Sequence, residues 1–577
     1  MLLNSVVAGA VAAGYILVLV LQLNPQLSRS PAAIVPLGTA LLASYGLHFA
    51  AVFYGLTVLR QLFGSESLSP GWISVRVLVW ECAAAAAIGA ALMWLNLAGL
   101  RLALEPEAAR RMSHGAVALT VCAGLMVALA ALRSWAGPRW KVGAAAFVMV
   151  LALSLLAPLL ARGPGRAQTL GGRRLDLGPS FPGPASASRV VVLAVDGASL
   201  DFISPAAADA RLPNFARLLD SGASAHLATL RPTQPDPTWT SVATGKLPVH
   251  HGVRSSGIYT AWRGGASFDL LPDYCFAHAL VYFGFLAEAP QTSASLRART
   301  VWSVLGGSGI GSAVVRWPLS YPAQPMQGVI VSDRLHLPAA AGLDPDEPPV
   351  TYPEDLLATI RQHPGQQDLA DAALSLYGST REPYAGAGAL ARDRLYADVF
   401  DQVRDTPGTR LSVLRYQGID VAGHYYLRQA MPRAFGEATG EPPPGGAARV
   451  LEQYYRFLDG EVGRALDRLG PDDLLLVVSA FGMEPLSLPK RLIDRAFGGG
   501  GLSGTHERAP DGFVVAFGRA VEPGRLPRAS VLDVTPTILY FFGLPIGRDM
   551  DGFARTDIFT RAFTAERPVT YIPTYER

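Results

Sequence analysis

The first 160 residues are a succession of apolar runs with short polar breaks between them. The runs are Leu2–Leu23 and, approximately, Ala33–Leu62, Val75–Leu102, His114–Leu132 and Val142–Leu160. Each reaches or exceeds the roughly 20 residues that carry a helix across a bilayer core. The breaks hold helix-stopping or charged residues: Asn24-Pro25, Gly64 to Pro70, Arg101 to Arg111, and Gly137-Pro138-Arg139. No positively charged segment precedes the first run and no small-residue cleavage site follows it, so it reads as a retained helix. The pattern predicts a transmembrane helical domain over residues 1–163 with about five spans.

Residues 164–188 are rich in Gly, Pro, Arg and Ser without periodicity, as expected of a linker. From Arg189 the texture changes. Val190–Val195 is a continuous β-branched run, the signature of a buried parallel strand, and it ends in Asp196-Gly197. Amphipathic helical segments (Leu212–Ser221, Val450–Leu469, Leu532–Phe542) alternate with further strand-like runs (Leu411–Tyr416, Leu474–Val478, Phe513–Phe517). That alternation predicts an α/β domain over residues 189–577, with a mostly parallel central sheet and helices on both faces. Open sheets of this kind place their sites beyond the carboxyl ends of the strands, where Asp196 stands.

Composition agrees with a membrane portion: half the residues are apolar and only 16% are charged. A net charge of +3, with no basic stripe interleaved with aromatics, excludes nucleic acid as a partner. Cys82 and Cys122 lie in apolar runs and Cys275 stands alone in the polar part, so no disulfide framework or CxxC pair exists there. Arginines flank the spans on both sides, and the positive-inside rule fixes no orientation. Glu81 and Glu107 read as solvated or snorkelling side chains near span ends.

The soluble part carries a series of motifs in order. Leu212-Pro-Asn-Phe-Ala-Arg-Leu follows the strand–Asp–Gly. Arg231-Pro-Thr-Gln-Pro-Asp-Pro-Thr-Trp-Thr-Ser-Val-Ala-Thr-Gly245 runs into Pro248-Val-His-His-Gly252. Further on come Asp420-Val-Ala-Gly-His424, Ser503-Gly-Thr-His506, Asp533-Val-Thr-Pro-Thr-Ile-Leu, Gly543-Leu-Pro and Asp549-Met-Asp-Gly552. Together these resemble the type I phosphodiesterase and nucleotide pyrophosphatase branch of the alkaline-phosphatase superfamily, over most of Arg189 to about Arg561.

The resemblance implies a metal-dependent phosphoesterase with two divalent cations, usually zinc. Such ions neutralise a phosphoryl group and activate the nucleophile. Carried over by position, Asp420, His424 and His506 form one complete ligand set. For the second, Asp196 is present, but the expected Asp-His pair is replaced within Ser479-Ala480-Phe481-Gly482-Met483. The position of the family's nucleophilic hydroxyl is Pro235. Two readings stay open. In one, the site is rebuilt: Asp236, Thr238, Thr233 or Glu484 takes over a lost role, or a water attacks directly at a single cation. In the other, the domain is catalytically silent and binds a phosphorylated ligand or partner. Asp236 and Thr238 also have a plain turn-chemistry reading beside Pro235 and Pro237.

The family places a substrate cap between the early and late motifs, which predicts a cap-like insert near residues 258–340. Pro442–Gly446 reads as a surface loop. Bacterial enzymes that transfer lipid head-group phosphates share the plan of five helices and one such domain. The expected setting is therefore the cytoplasmic (inner) membrane, with the soluble domain extracytoplasmic. The expected partners are the lipid bilayer and a phosphate ester, either a phosphodiester or a lipid-linked phosphate. Phosphotransfer onto or from lipid head groups is the further alternative.

Overall fold

The computed structural model describes residues 2–63, 75–136, 141–165, 187–335, 348–361, 387–436, 447–496 and 501–576. Most of the expected linker at 164–188, and the loop at Pro442–Gly446, lie outside them. The chain divides into two compact units. One comprises Met1–Gly171 and Arg254–Pro290, the other Gly172–Val253 and Gln291–Arg577.

In the first unit the apolar runs form helices α1 (Leu2–Leu23), α2 (Pro31–Phe63), α3 (Val75–Gly99), α4 (Pro106–Ala136) and α5 (Lys141–Arg162). All five are long and apolar enough to cross a membrane. A π-turn at Leu42–Gly46 interrupts α2. Helix α4 begins earlier than the hydropathy alone indicates. Glu107, expected in the preceding loop, sits in its first turn and pairs with Arg110 and Arg111 at i+3 and i+4. Arg162, the last residue of α5, donates to the carbonyls of Leu21, Asn24 (2.9 Å) and Leu27. It thereby satisfies acceptors that the end of α1 leaves without helical partners.

Arg254–Pro290 belongs to this helical unit. Its backbone forms an antiparallel hairpin, Gly257–Ala261 against Leu286–Pro290. Two side-chain amides at helix ends hold the segment. Asn24, just beyond α1, donates to Leu270 O at 2.8 Å and accepts from Leu270 N at 3.1 Å. Asn96, in the last turn of α3, accepts from Asp273 N at 2.7 Å and donates to Asp273 O at 3.1 Å. Both side chains are buried, and each pairs with one backbone donor and one backbone acceptor, which at Leu270 packing hides from water. Asp269 adds an ion pair with Arg254 and accepts from Gln26 Nε2 at 2.9 Å.

The second unit is the α/β domain. Its main strands are β1 (Val190–Val195), β2 (Ala223–Ala228), β3 (Gly311–Val315), β4 (Gly328–Val331), β5 (Thr409–Tyr416), β6 (Leu474–Phe481) and β7 (Asp511–Phe517). They lie in the order β2-β7-β6-β1-β5-β3-β4, within one ten-stranded sheet completed by short edge strands. The stretch β6-β1-β5-β3-β4 is parallel, and β7 runs antiparallel between β6 and β2. The stretch 258–340, expected as a cap-like insert, is thus shared between the units. Residues 258–290 cluster with the apolar helices, whereas β3 and β4 are strands of the main sheet. Strand β1 is buried throughout because both faces are covered: Val190, Val192 and Ala194 enter one core, Val191, Leu193 and Val195 the other.

Replacing Asn24 with Leu leaves the Leu270 N–H and C=O without their side-chain partner in a buried position, and is expected to cost about 1–3 kcal/mol and to raise protease cleavage within residues 254–290 of the full-length protein. Replacing Asn96 with Leu, whose partner Asp273 is exposed, is expected to act in the same direction at a smaller cost. Unchanged thermal unfolding and unchanged cleavage would show that these amides do not hold the segment.

Candidate metal centre

The parallel strands end along one edge of the sheet, so their last residues converge there. Strand β5 ends in Arg415-Tyr416 and β6 in Ser479-Ala480-Phe481, while Asp196 directly follows β1, Arg316 directly follows β3 and Asp333 lies two residues beyond β4. Helix α8 (Gly418–Ala430) follows β5 directly and carries Asp420 and His424 one turn apart on the same face. His506 arrives from the loop after the short strand Gly504–Thr505. That strand docks closely on α8: Ser503 N donates to His424 O at 2.7 Å, and a Cβ on Gly504 would lie 2.5 Å from Gly423 O. Only glycine permits that approach.

Ligand atoms of Asp420, His424 and His506 all lie within 4.8 Å of one another. His424 Nε2 is 3.7 Å from Asp420 Oδ2, and His506 Nε2 is 3.9 Å from Asp420 Oδ1. The imidazole tautomers follow from their outer partners. His424 Nδ1 faces Gly504 O at 3.0 Å and His506 Nδ1 faces Thr233 O at 3.3 Å. A carbonyl only accepts, so each Nδ1 carries the proton and each Nε2 presents its lone pair toward Asp420. This is how proteins orient imidazole ligands for a metal. Asp420 is buried, and its Oδ1 has no hydrogen-bond partner among the described residues. A buried carboxylate oxygen without a donor is costly unless a cation satisfies it. Burial pushes the Asp420 carboxyl up, opposed by His506 and His424. The donor set of one carboxylate and two imidazoles fits a divalent transition ion with an open position.

Asp196 is engaged differently. Both of its carboxylate oxygens bind the Arg415 guanidinium, Nε to Oδ1 at 2.9 Å and Nη2 to Oδ2, and Trp239 Nε1 donates to Oδ1 at 2.6 Å. Asp196 is fully buried and Arg415 nearly so. Gly197, at φ +69°, lets the backbone pass close to Asp420: a Cβ there would lie 2.9 Å from its Cα. The Ala480 and Phe481 side chains offer no donor atom, and the Phe481 ring packs 5.1 Å from His506.

Helix α7 (Pro235–Thr244) begins at Pro235. The hydroxyl of Thr238 donates to Gln234 O at 2.7 Å and that of Thr233 to Leu230 O at 2.7 Å, both local backbone bonds. Asp236 lies in the first turn of the helix and within electrostatic reach of Arg415. Neither Asp236 nor Thr238 belongs to the Asp420–His424–His506 cluster. The rest of the Trp-Thr-Ser and His-His-Gly segment is scaffolding. Ser241 Oγ meets His251 Nε2 at 3.0 Å, and Val253 N donates to His251 Nδ1 at 3.2 Å. Burial holds the His251 pKa down to about 3, so it remains neutral. Lys246 pairs with Asp549 and Glu576, and Asp551 receives Leu247 N, which ties the C-terminal signature to this turn.

The sequence profile of the type I phosphodiesterase / nucleotide pyrophosphatase family matches residues 190–506, and the chain belongs to that family. Among solved structures, it is similar to murine ectonucleotide pyrophosphatase / phosphodiesterase 5 at 12% identity, over 65% of this chain and 100% of that one, with a TM-score of 0.37. An inactive variant of the same murine protein, in complex with AMP, gives the same identity and coverage with a TM-score of 0.39. No curated protein matches the chain.

Asp420→Asn removes the buried charge that no donor satisfies. A carboxyl whose folded pKa is raised contributes stability below its unfolded pKa and loses it as pH rises through the folded value. The Asp420→Asn variant without metal is therefore expected to unfold at a higher temperature than metal-free wild type at neutral pH, and to lose the stabilisation that added divalent metal gives. A variant that is less stable without metal would contradict this account of the carboxylate.

Proposed function

We infer that this protein is a membrane-anchored, metal-dependent phosphodiesterase. The observation that carries this reading is the Asp420–His424–His506 cluster, with both Nε2 lone pairs and an unpartnered carboxylate oxygen turned to one point at the carboxyl edge of the sheet. A divalent cation held there would supply Lewis acidity to a phosphoryl oxygen and acidify a water. Asp420 and the two imidazoles hold the charge, while Gly504 O and Thr233 O fix the imidazole orientations. Zinc suits this donor set.

The position that the family resemblance assigns to the nucleophile offers none. Pro235 has no hydroxyl, and the Thr233 and Thr238 hydroxyl protons are engaged by backbone carbonyls. Water is therefore the attacking group in this reading, in a single displacement. The five helices, long and apolar enough to cross a membrane, support anchoring, and the reading sets the protein in the cytoplasmic membrane with its α/β domain extracytoplasmic, by resemblance to the bacterial head-group transferases of the same plan. That setting favours a diester in a lipid head group or another lipid-linked phosphate over a free nucleotide.

The test is hydrolysis by the full-length protein in nanodiscs, with an aryl phosphodiester, an aryl phosphomonoester and a phospholipid head-group diester as substrates. Diester turnover is expected to depend on added zinc. In His424→Ala it is expected to fall by about two orders of magnitude or more, since even outer partners of metal ligands are worth about 10–100-fold. Absence of zinc-dependent turnover on every ester would overturn the reading. A diester made chiral at phosphorus separates the two routes. Direct attack by water inverts its configuration, whereas retention would assign the nucleophile to a chain hydroxyl.

A further inference from the structure

We propose that this is a one-cation centre in which the Arg415 guanidinium permanently occupies the role of a second metal ion. The inference deepens the reading above and rests on it, because it concerns the same edge of the sheet. Three observations point to it independently.

The first is the engagement of Asp196. A carboxylate that binds a metal must turn an oxygen lone pair toward the ion. Here both oxygens face one guanidinium in the two-pronged geometry that arginine forms with carboxylates, and Oδ1 also accepts from the Trp239 indole. With Asp196 fully buried and the Arg415 side chain 5% exposed, the pair is shielded from solvent competition. The second is the loss of the other donors that the family resemblance implies. Pro235, Ala480 and Phe481 stand at the positions that would complete a second ligand set, and Phe481 is fully buried, its ring filling volume beside His506. The third is the origin of the arginine. Arg415 sits on β5, in register with Ala194 of β1, two residues before Asp196. An arginine buried in an inner strand is retained only with a buried partner, and the partner supplied is the carboxylate that follows β1. Asp236 and Asp333 also lie within its field.

A guanidinium differs from a metal ion in ways that matter here. It stays charged across the accessible pH range, it is not removed by chelators, and it is fixed in place by β5. A divalent ion lodged against the same carboxylate would be repelled by it. One guanidinium and one divalent ion also present less positive charge than two divalent ions. That suits the single negative charge of a phosphodiester better than the double charge of a monoester.

The experiment is a zinc count on the purified full-length protein, dialysed against buffered zinc, by plasma mass spectrometry, together with thermal unfolding. One zinc per chain is expected in wild type, one in Asp196→Asn, and none in a His424→Ala/His506→Ala double variant. Two zinc ions in wild type, or a count that falls by one in Asp196→Asn, would overturn the proposal and leave the phosphodiesterase reading standing. No zinc in wild type would overturn both. Arg415→Met strands a buried carboxylate and is expected to lower the unfolding temperature sharply, while Asp196→Asn/Arg415→Met, which removes the charge of both members of the pair, recovers most of the loss. Should Arg415→Met fail to fold, the double variant alone decides: a count of one supports the proposal, and any other count overturns it.

Discussion

Strand Val190–Val195 is the constraint on which the site depends. It is hydrogen-bonded in parallel to Thr409–Tyr416 on one side and Leu474–Phe481 on the other. A slip of one residue in either pairing would turn each apolar side chain to the wrong core. The register that satisfies both cores also sets Asp196 beside Arg415 and starts helix Gly418–Ala430 where Asp420 can meet it. Fold stability and site geometry are thus fixed by one set of pairings. The chemical groups themselves need little further support, beyond glycines at 197 and 504 where backbones pass close.

Much of this was legible in the residues. The β-branched run ending in Asp-Gly, the Asp-x-x-x-His spacing and the late His point to the fold and to a candidate ligand set whose three residues the structure brings together, because each depends on local pattern plus order along the chain. The family profile covers the same span. Arg415 was not found that way, although a signal was present: a single arginine inside Leu411-Ser-Val-Leu-Arg-Tyr416. A cation in a buried strand demands a carboxylate, but the sequence does not say which one. Only the pairing of β5 with β1 identifies Asp196, and that is tertiary information. The two histidine tautomers were out of reach for the same reason, since their partners are backbone carbonyls 80 and 273 residues away.

The segment between the early and late motifs was the hardest to read. Its aromatics and small residues suit a substrate cap as well as they suit packing on apolar helices, and hydropathy does not distinguish the two. What distinguishes them are Asn24 and Asn96. Polar amides at the ends of apolar helices look like ordinary helix terminators in sequence. In the folded unit each forms a paired hydrogen bond with the backbone of the excursion at Leu270 or Asp273. The later part of the chain thereby supplies a piece of the helical unit.

The losses at the second ligand set are coherent when considered together. Removing Asp and His donors from a metal site while leaving Asp196 would strand a buried carboxylate, which costs several kcal/mol unless a cation replaces the ion. In the proposed one-cation centre Arg415 takes that part, Trp239 supplies a further donor to the same carboxylate, and Phe481 packs against His506 without adding charge. A site decaying without constraint would be expected to leave cavities or unpaired groups around Asp196. Instead both of its oxygens are satisfied, and the unpartnered carboxylate oxygen at this edge belongs to Asp420, within the ligand set that remains complete. The packing around Asp196 therefore favours a site rebuilt around a single cation over one abandoned, and the unpartnered oxygen of Asp420 marks where the proposal places that cation.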